Sequence, residues 1–256
     1  MKTALLAGLL LAPQAAAPDA EALFAQGVQA YAAEDYERAM GAFEQAARLE
    51  PSASRYQHWL GKAIGRRAER VNPLRAAGLA GKVRQAFERA VELDPKNVAA
   101  LADLFEYYLD APGIFGGGEE KARKAAARLA ELSPPHGRRA QAALFLKKKD
   151  YAAAEREFRQ ALKLEPDKAG RYLDLAAFLD DRGRHQEADP LLEKAGEVAP
   201  QSAELLFARG KHLAVSGKDP AQARALLEQY LRTPRQPDDP TPSEVKKLLK
   251  QLGGGP

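Results

Sequence analysis

The sequence predicts an all-α, right-handed solenoid of about six antiparallel helix hairpins with a C-terminal capping helix. Three observations carry this expectation. The segment from Asp35 to Pro51 returns from Asp150 to Pro166 with the same Phe, Ala and Pro spacing. Closing prolines recur at Pro51, Pro95, Pro134, Pro166, Pro200 and Pro234, the last three intervals being 32, 34 and 34 residues. No stretch shows the strict alternation that would demand a strand. A period of this size marks one supersecondary unit copied and stacked, each copy covering the apolar face of the last.

Unit 1 pairs a helix near 20–33 with one near 36–49. The small residues Gly27 and Ala39 let these helices approach closely, and Phe43 fills the wedge toward the next hairpin. Pro51 and its equivalents end each hairpin, because proline disfavours helix in the residue before it and can open the next turn. Unit 2 begins near Ser54, with Tyr56, Trp59, Leu60 and Ile64 on its first helix. Asn72 before Pro73 reads as an N-cap and first helical residue. The helix that follows, to Leu93, is longer than its counterparts. Gly78 and Gly81 lower its propensity, so a flexible joint is the alternative.

Unit 3 breaks the rule. Bulky Phe105 stands at the first-helix midpoint, where the other units have Gly27, Gly61, Ala142, Ala176 and Gly210. Its second-helix bulky slot holds Ala126. Either the two positions have exchanged volume, or an insertion has shifted the register. The glycine-rich run 111–118 reads as a loop with Ile114 and Phe115 as its large apolar side chains. Departures from the period therefore fall near 65–81 and 111–118. Units 4 to 6 are compact, with turns at Gly183 and Gly217 and a cap at Asp219 before Pro220. The array spans 18–234. Beyond a polar spacer at 236–240, Thr241 and Glu244 form a capping box. It opens a helix over 241–252, whose Val245, Leu248, Leu249 and Leu252 cover the last apolar surface. Residues 253–256 are expected to be a flexible tail.

The small midpoints, the second-helix sets Ala39, Phe43, Ala46 and Ala154, Phe158, Ala161, and the closing prolines together resemble the tetratricopeptide repeat, whose unit is about 34 residues. The resemblance covers about residues 20 to 234. It implies a concave groove lined by the first helix of each hairpin, a protein or peptide as partner, and no catalytic role. It also allows one known use to be checked. Binders of chaperone tails hold a terminal carboxylate with Lys, Asn and Arg at set first-helix positions; here those positions carry Phe24, Val28, Trp59, Ala99 and Asp103, so that clamp is absent. The later units, with Arg139, Ala143, Asp174, Glu204 and Ala208, do not supply it either.

On the groove face, spacings of three and four place Arg55, His58, Lys62 and Arg66 on one basic stripe. Arg139 and Lys147 of unit 4 point the same way, and Phe24, Val28 and Tyr31 give unit 1 an apolar wall. The candidate binding residues are thus Tyr31, Arg55, His58, Lys62, Arg66, Arg139 and Lys147, with Ile114 and Phe115 as a loop docking tip or a plug for the adjacent unit. A stripe of this kind also admits an alternative use, as an envelope glycan- or lipid-binding module.

The remaining chemistry is sparse. His58, His136, His185 and His212 lie in four different units, none at metal spacing from another, so no metal site and no cofactor are expected. The glycines at 116–118 lack the Lys-Ser or Lys-Thr ending of a phosphate loop and follow a helix. Carboxylate pairs at Glu119–Glu120 and Asp180–Asp181 sit at helix ends. No catalytic constellation emerges.

With 39 basic against 35 acidic side chains the net charge is +4, too mild and too dispersed to suggest nucleic acid. Cysteine is absent, which excludes disulfides and thiol chemistry. Met1-Lys2-Thr3, the apolar run 4–12 and the small residues before Pro18 have the pattern of a secretory signal over 1–17. An exported chain, periplasmic or secreted, is expected. The apolar run is shorter than the about 20 residues of a membrane span.

Overall fold

A computed structural model describes residues 19–234 and 236–253. Among them thirteen α-helices follow in order: α1 Ala20–Ala32, α2 Tyr36–Leu49, α3 Ser54–Ala68, α4 Pro73–Leu93, α5 Val98–Asp110, α6 Glu119–Leu132, α7 Pro134–Lys147, α8 Tyr151–Leu164, α9 Ala169–Asp181, α10 His185–Val198, α11 Ala203–Ser216, α12 Pro220–Arg232 and α13 Pro242–Gly253. Consecutive helices pair into six hairpins, each stacked on the next, and α13 packs on α11 and α12. The secretory-signal reading of 1–17 falls outside the described residues.

The recurring Asp-Tyr has a local cause. Asp35 and Asp150 are N-caps whose carboxylates accept from the amides of Arg38 at 3.2 Å and Ala153 at 3.0 Å. Each satisfies a donor that the first helical turn leaves orphaned. Asn72 caps α4 as expected, accepting from Arg75 N at 3.0 Å. That helix is unbroken through Gly78 and Gly81, so the flexible joint is not what forms.

Close approach explains two glycines. A Cβ at Gly27 would lie 2.4 Å from the Phe43 ring, and one at Gly61 would lie 2.5 Å from Phe87. The large second-helix side chain therefore lies over the small midpoint of its own hairpin. From there Phe43 also reaches Trp59 of the next unit, with ring centroids 5.9 Å apart. In unit 3 the volumes are exchanged with the register intact. Phe105 and Ala126 are both buried in one cluster with Ala122 and Leu129.

The two departures from the period meet in space. The Tyr107 hydroxyl lies 2.9 Å from the carbonyls of both Ala80, on the extended start of α4, and Phe115, in the 111–118 insertion. Lys121 Nζ donates to Gly116 O at 2.9 Å. Gly113–Phe115 form a 3₁₀ turn, and Gly116 closes it at φ 87°. This splits the Ile114–Phe115 pair: Phe115 is half-buried, whereas Ile114 is 87% exposed.

The capping helix forms as expected. Thr241 N donates to Glu244 Oε2 at 2.6 Å, and Glu244 N to Thr241 Oγ1 at 3.3 Å. Val245 is fully buried against Leu227 and Tyr230, with Leu248, Leu249 and Leu252 around it. Gly253, assigned from the sequence to a flexible tail, belongs to this helix; residues 254–256 lie outside the described ones.

Candidate functional site

The first helices of the hairpins present one continuous face, and the predicted basic stripe lies on it. The stripe is not free. Arg55 pairs with Glu21 of α1. His58 is 7% exposed, with Nε2 2.7 Å from Asp103 Oδ2 on α5. Lys62 pairs with Asp238, and Arg66 Nη1 donates to Glu244 Oε1 at 3.2 Å. Arg139 pairs with Asp174 at 2.7 Å, and Lys147 with Asp110 at 2.9 Å. Each cation assigned to binding a partner already faces a carboxylate of its own chain.

Two of those carboxylates come from the far end of the sequence. After α12 the chain passes back across the groove to units 1 and 2. Ser243 Oγ donates to Glu34 Oε1 at 2.8 Å, and Arg70 Nη2 donates to Ser243 Oγ at 2.9 Å. Residues 236–244 are thus a strap that joins the last hairpin to the first. Burial pushes the Glu34 carboxyl up, but hydrogen bonds from Arg70 and Ser243 outweigh it and bring it down to about 2. Glu244 is also held below the carboxylate range, burial being outweighed by bonds from Thr241 and by Arg66.

Glu34 stands out in its backbone too. It has φ 62° in the turn between α1 and α2, and Lys149 has φ 60° in the corresponding turn of unit 4. Units 5 and 6 place Gly183 and Gly217 there, at φ 71° and 67°. A side chain in this region costs roughly 1–2 kcal/mol. At Glu34 that cost is set against the contacts to the strap.

Tyr31, expected in the groove wall, lines the groove cavity beside Lys62 and Arg66 but is only 5% exposed, edge-on to Trp59 at 5.4 Å. Burial drives its hydroxyl up to about 12. Phe24 and Val28 likewise pack with Trp59. Lys62 Nζ sits 4.7 Å above the Trp59 ring, closing that surface further.

The groove holds two cavities. A cavity of about 510 Å³ between units 3 and 5 is lined by Phe105, Ala143, Phe158 and Ala177, with Glu106 and Arg139 among its polar groups. A second, of about 660 Å³, runs from Lys62 and Asp238 to Glu106 and Arg139. Glu106 and Glu204 are reached by solvent, yet both lie deep in the concave face. Desolvation, reinforced by Asp103 at Glu106 and by Asp174 and Asp239 at Glu204, pushes both carboxyls up.

The histidines behave differently from their sequence reading. His58 and His212 are buried, at 7% and 3% exposure. His185 and His212, placed apart by sequence, converge on one carboxylate. Asp180 Oδ1 lies 2.8 Å from His185 Nδ1 and 2.9 Å from His212 Nδ1. Asp180 and His212 are 32 residues apart, close to one period, and this is the signal that could have found them. His136 is pushed down by burial and by the nearby Arg171 and Arg139.

With this geometry in place the chain can be set beside known proteins. Residues 145–211 match the tetratricopeptide repeat. The array around them has the same fold. A thermophilic tetratricopeptide-repeat protein of Thermus thermophilus superposes with a TM-score of 0.58 at 22% identity, covering 77% of this chain and 98% of that one. A tetratricopeptide-repeat protein of Parabacteroides merdae gives 0.54 at 17% identity, covering 92% of this chain and 99% of that one. In sequence, 163 residues are 30% identical to cellulose synthase 2 operon protein C of Komagataeibacter xylinus. That stretch is 59% of this chain but spans only 12% of the relative's length. Among the described residues no helix is long and apolar enough to cross a membrane.

Proposed function

We propose that this tetratricopeptide-type array is a non-catalytic scaffold of the cell envelope that holds a protein or peptide partner in the open groove between units 3 and 5. The observation that carries the reading is the 510 Å³ cavity, whose lining mixes aromatic and small apolar side chains with the carboxylates of Glu106, Asp174 and Asp181 and the cations of Arg139 and Arg182. Such a surface suits an extended segment that offers an apolar anchor and a basic side chain. Glu106, Asp174 and Asp181 on the cavity wall offer carboxylates to a basic side chain. An anionic glycan or lipid headgroup is the poorer fit, because the cations of the stripe are engaged by the chain's own carboxylates. The pattern of residues 1–17 and the similarity to a cellulose synthase operon protein support the envelope setting.

The test is to pan a random peptide library on the full chain and on Ala177→Trp. Ala177 is exposed and lines the cavity, so the indole fills the groove without entering the core. The expected result is enrichment of peptides with basic and apolar residues on the parent and their loss on the variant. Enrichment that survives the filled groove would sink the reading.

A further inference from the structure

We propose that Asp180, His185 and His212 form a binding site for one divalent transition-metal ion, zinc(II) foremost, at the junction of units 5 and 6. One ligand atom from each of the three residues lies within 4.8 Å of the other two. Ligands of a tetrahedral ion bound at about 2.0–2.1 Å sit about 3.4 Å apart. The 2.8 and 2.9 Å separations from Asp180 Oδ1 to the two imidazole nitrogens reach that spacing when each widens by about half an ångström.

The outer contacts favour a metal as well. His212 Nε2 lies 2.9 Å from Asp189 Oδ1. With Nε2–H donating to Asp189, the ring keeps a lone pair on Nδ1, the nitrogen aimed at the cluster. A ligating histidine that donates its other N–H to a carboxylate is the usual supporting arrangement of zinc sites. Asp180 lies at the C-terminal end of α9, where the helix dipole favours a cation.

Burial is graded in the way entry requires. The side chains of His212 and Asp180 are 4% and 7% exposed, but that of His185 is 24% exposed, so an ion reaches the site from the His185 side and keeps a position open there. Two imidazoles and one carboxylate suit zinc, copper or nickel, whereas magnesium and calcium prefer all-oxygen shells. His58 with Asp103 supplies an internal contrast. It is a buried histidine–carboxylate pair with no second imidazole. The ion would tie α9, α10 and α11 together and lock unit 6 to unit 5, independently of any partner in the groove.

The experiment titrates zinc chloride into the chelator-treated full chain by calorimetry and follows Tm against free zinc. Expected are one ion per chain and a Tm that climbs as free zinc rises. Cobalt(II) should give the intense visible absorption of a tetrahedral site. His185→Ala removes a partly exposed ligand at a helix start; its metal-free Tm should match the parent and its zinc uptake should vanish. Asp189→Asn should weaken binding about 10–100-fold, and His58→Ala should leave it unchanged. Absence of uptake by the parent, or uptake by His185→Ala equal to the parent's, overturns the proposal and leaves the cluster as a hydrogen-bonded histidine–carboxylate pin.

Discussion

Units 1 and 2 and units 4 and 5 present the same first-helix face, yet one meets the carboxylates of the strap and the other holds an aromatic-walled cavity. In the former, Trp59 lies under Lys62, and Lys62 and Arg66 reach Asp238 and Glu244 of the strap. In the latter, Ala143 and Ala177 leave a cavity walled by Phe158 and Phe178. The repeat supplies the groove in both places, and side-chain size and charge decide whether the chain fills it or leaves it for something else. The basic stripe, the most conspicuous polar feature of the sequence, meets the strap.

The largest effect on this contrast should come from Gly61→Val. Its Cβ would meet the Phe87 ring at 2.5 Å, so α3 must move away from α4 and carry Lys62 and Arg66 with it. Overpacking of this kind costs about 1–3 kcal/mol. A clear drop in Tm, together with faster amide exchange in 236–244, is expected. Unchanged exchange there would show that the strap does not depend on the placement of α3.

Next is the pair Asp238→Lys and Glu244→Lys. Each reversal replaces an attraction to the stripe by a repulsion, and largely exposed pairs are worth up to about 1 kcal/mol. Proteolysis within 236–244 should accelerate. Lys62→Asp in the Asp238→Lys background should restore part of the protection; a double variant as labile as the single one would remove Lys62 as the contact.

A smaller contrast compares the two turns. Lys149→Gly relieves a left-handed backbone and should raise stability by up to about 1 kcal/mol. Glu34→Gly relieves the same strain but gives up Ser243 and Arg70, so its Tm should fall below that of Lys149→Gly. Equal gains in both would mean that Glu34 contributes nothing to the strap.

The smallest effect is on pH. Glu34 has a folded value of about 2 against an ordinary value of 4.5, so the folded chain takes up this proton less readily than the unfolded one. Its contribution is complete above about 4.5 and disappears as pH falls toward 2. In Glu34→Gln the parent's loss of protection in 236–244 across that window should be flattened.

Helix positions, caps, small midpoints and the terminal cap were legible because each is fixed by neighbours in the chain or by the period. Asp35, Asn72 and Thr241 announce helix starts through local hydrogen bonding, and Gly27 announces a close approach through its repetition. Contacts one period apart, such as Asp180 with His212, were accessible in principle but needed the exact facing of two helices. The strap was not legible. Nothing periodic links Asp238 to Lys62, and an acidic spacer with a basic stripe is a pairing that sequence permits without specifying. The sequence placed these residues on one face; the carboxylates they meet within the chain had no sequence signal.

The strap also bears on how the molecule comes apart. An open array has two terminal units with one neighbour each, and unfolding can begin at either end and move inward in steps. Here the segment following unit 6 grips Glu34, Lys62 and Arg66, so the first unit has a contact on each side and the ends are no longer independent. Loosening one end releases the other. Damage at either terminus should therefore spread as a loss of cooperativity around a loop, rather than as fraying confined to the nearest repeat.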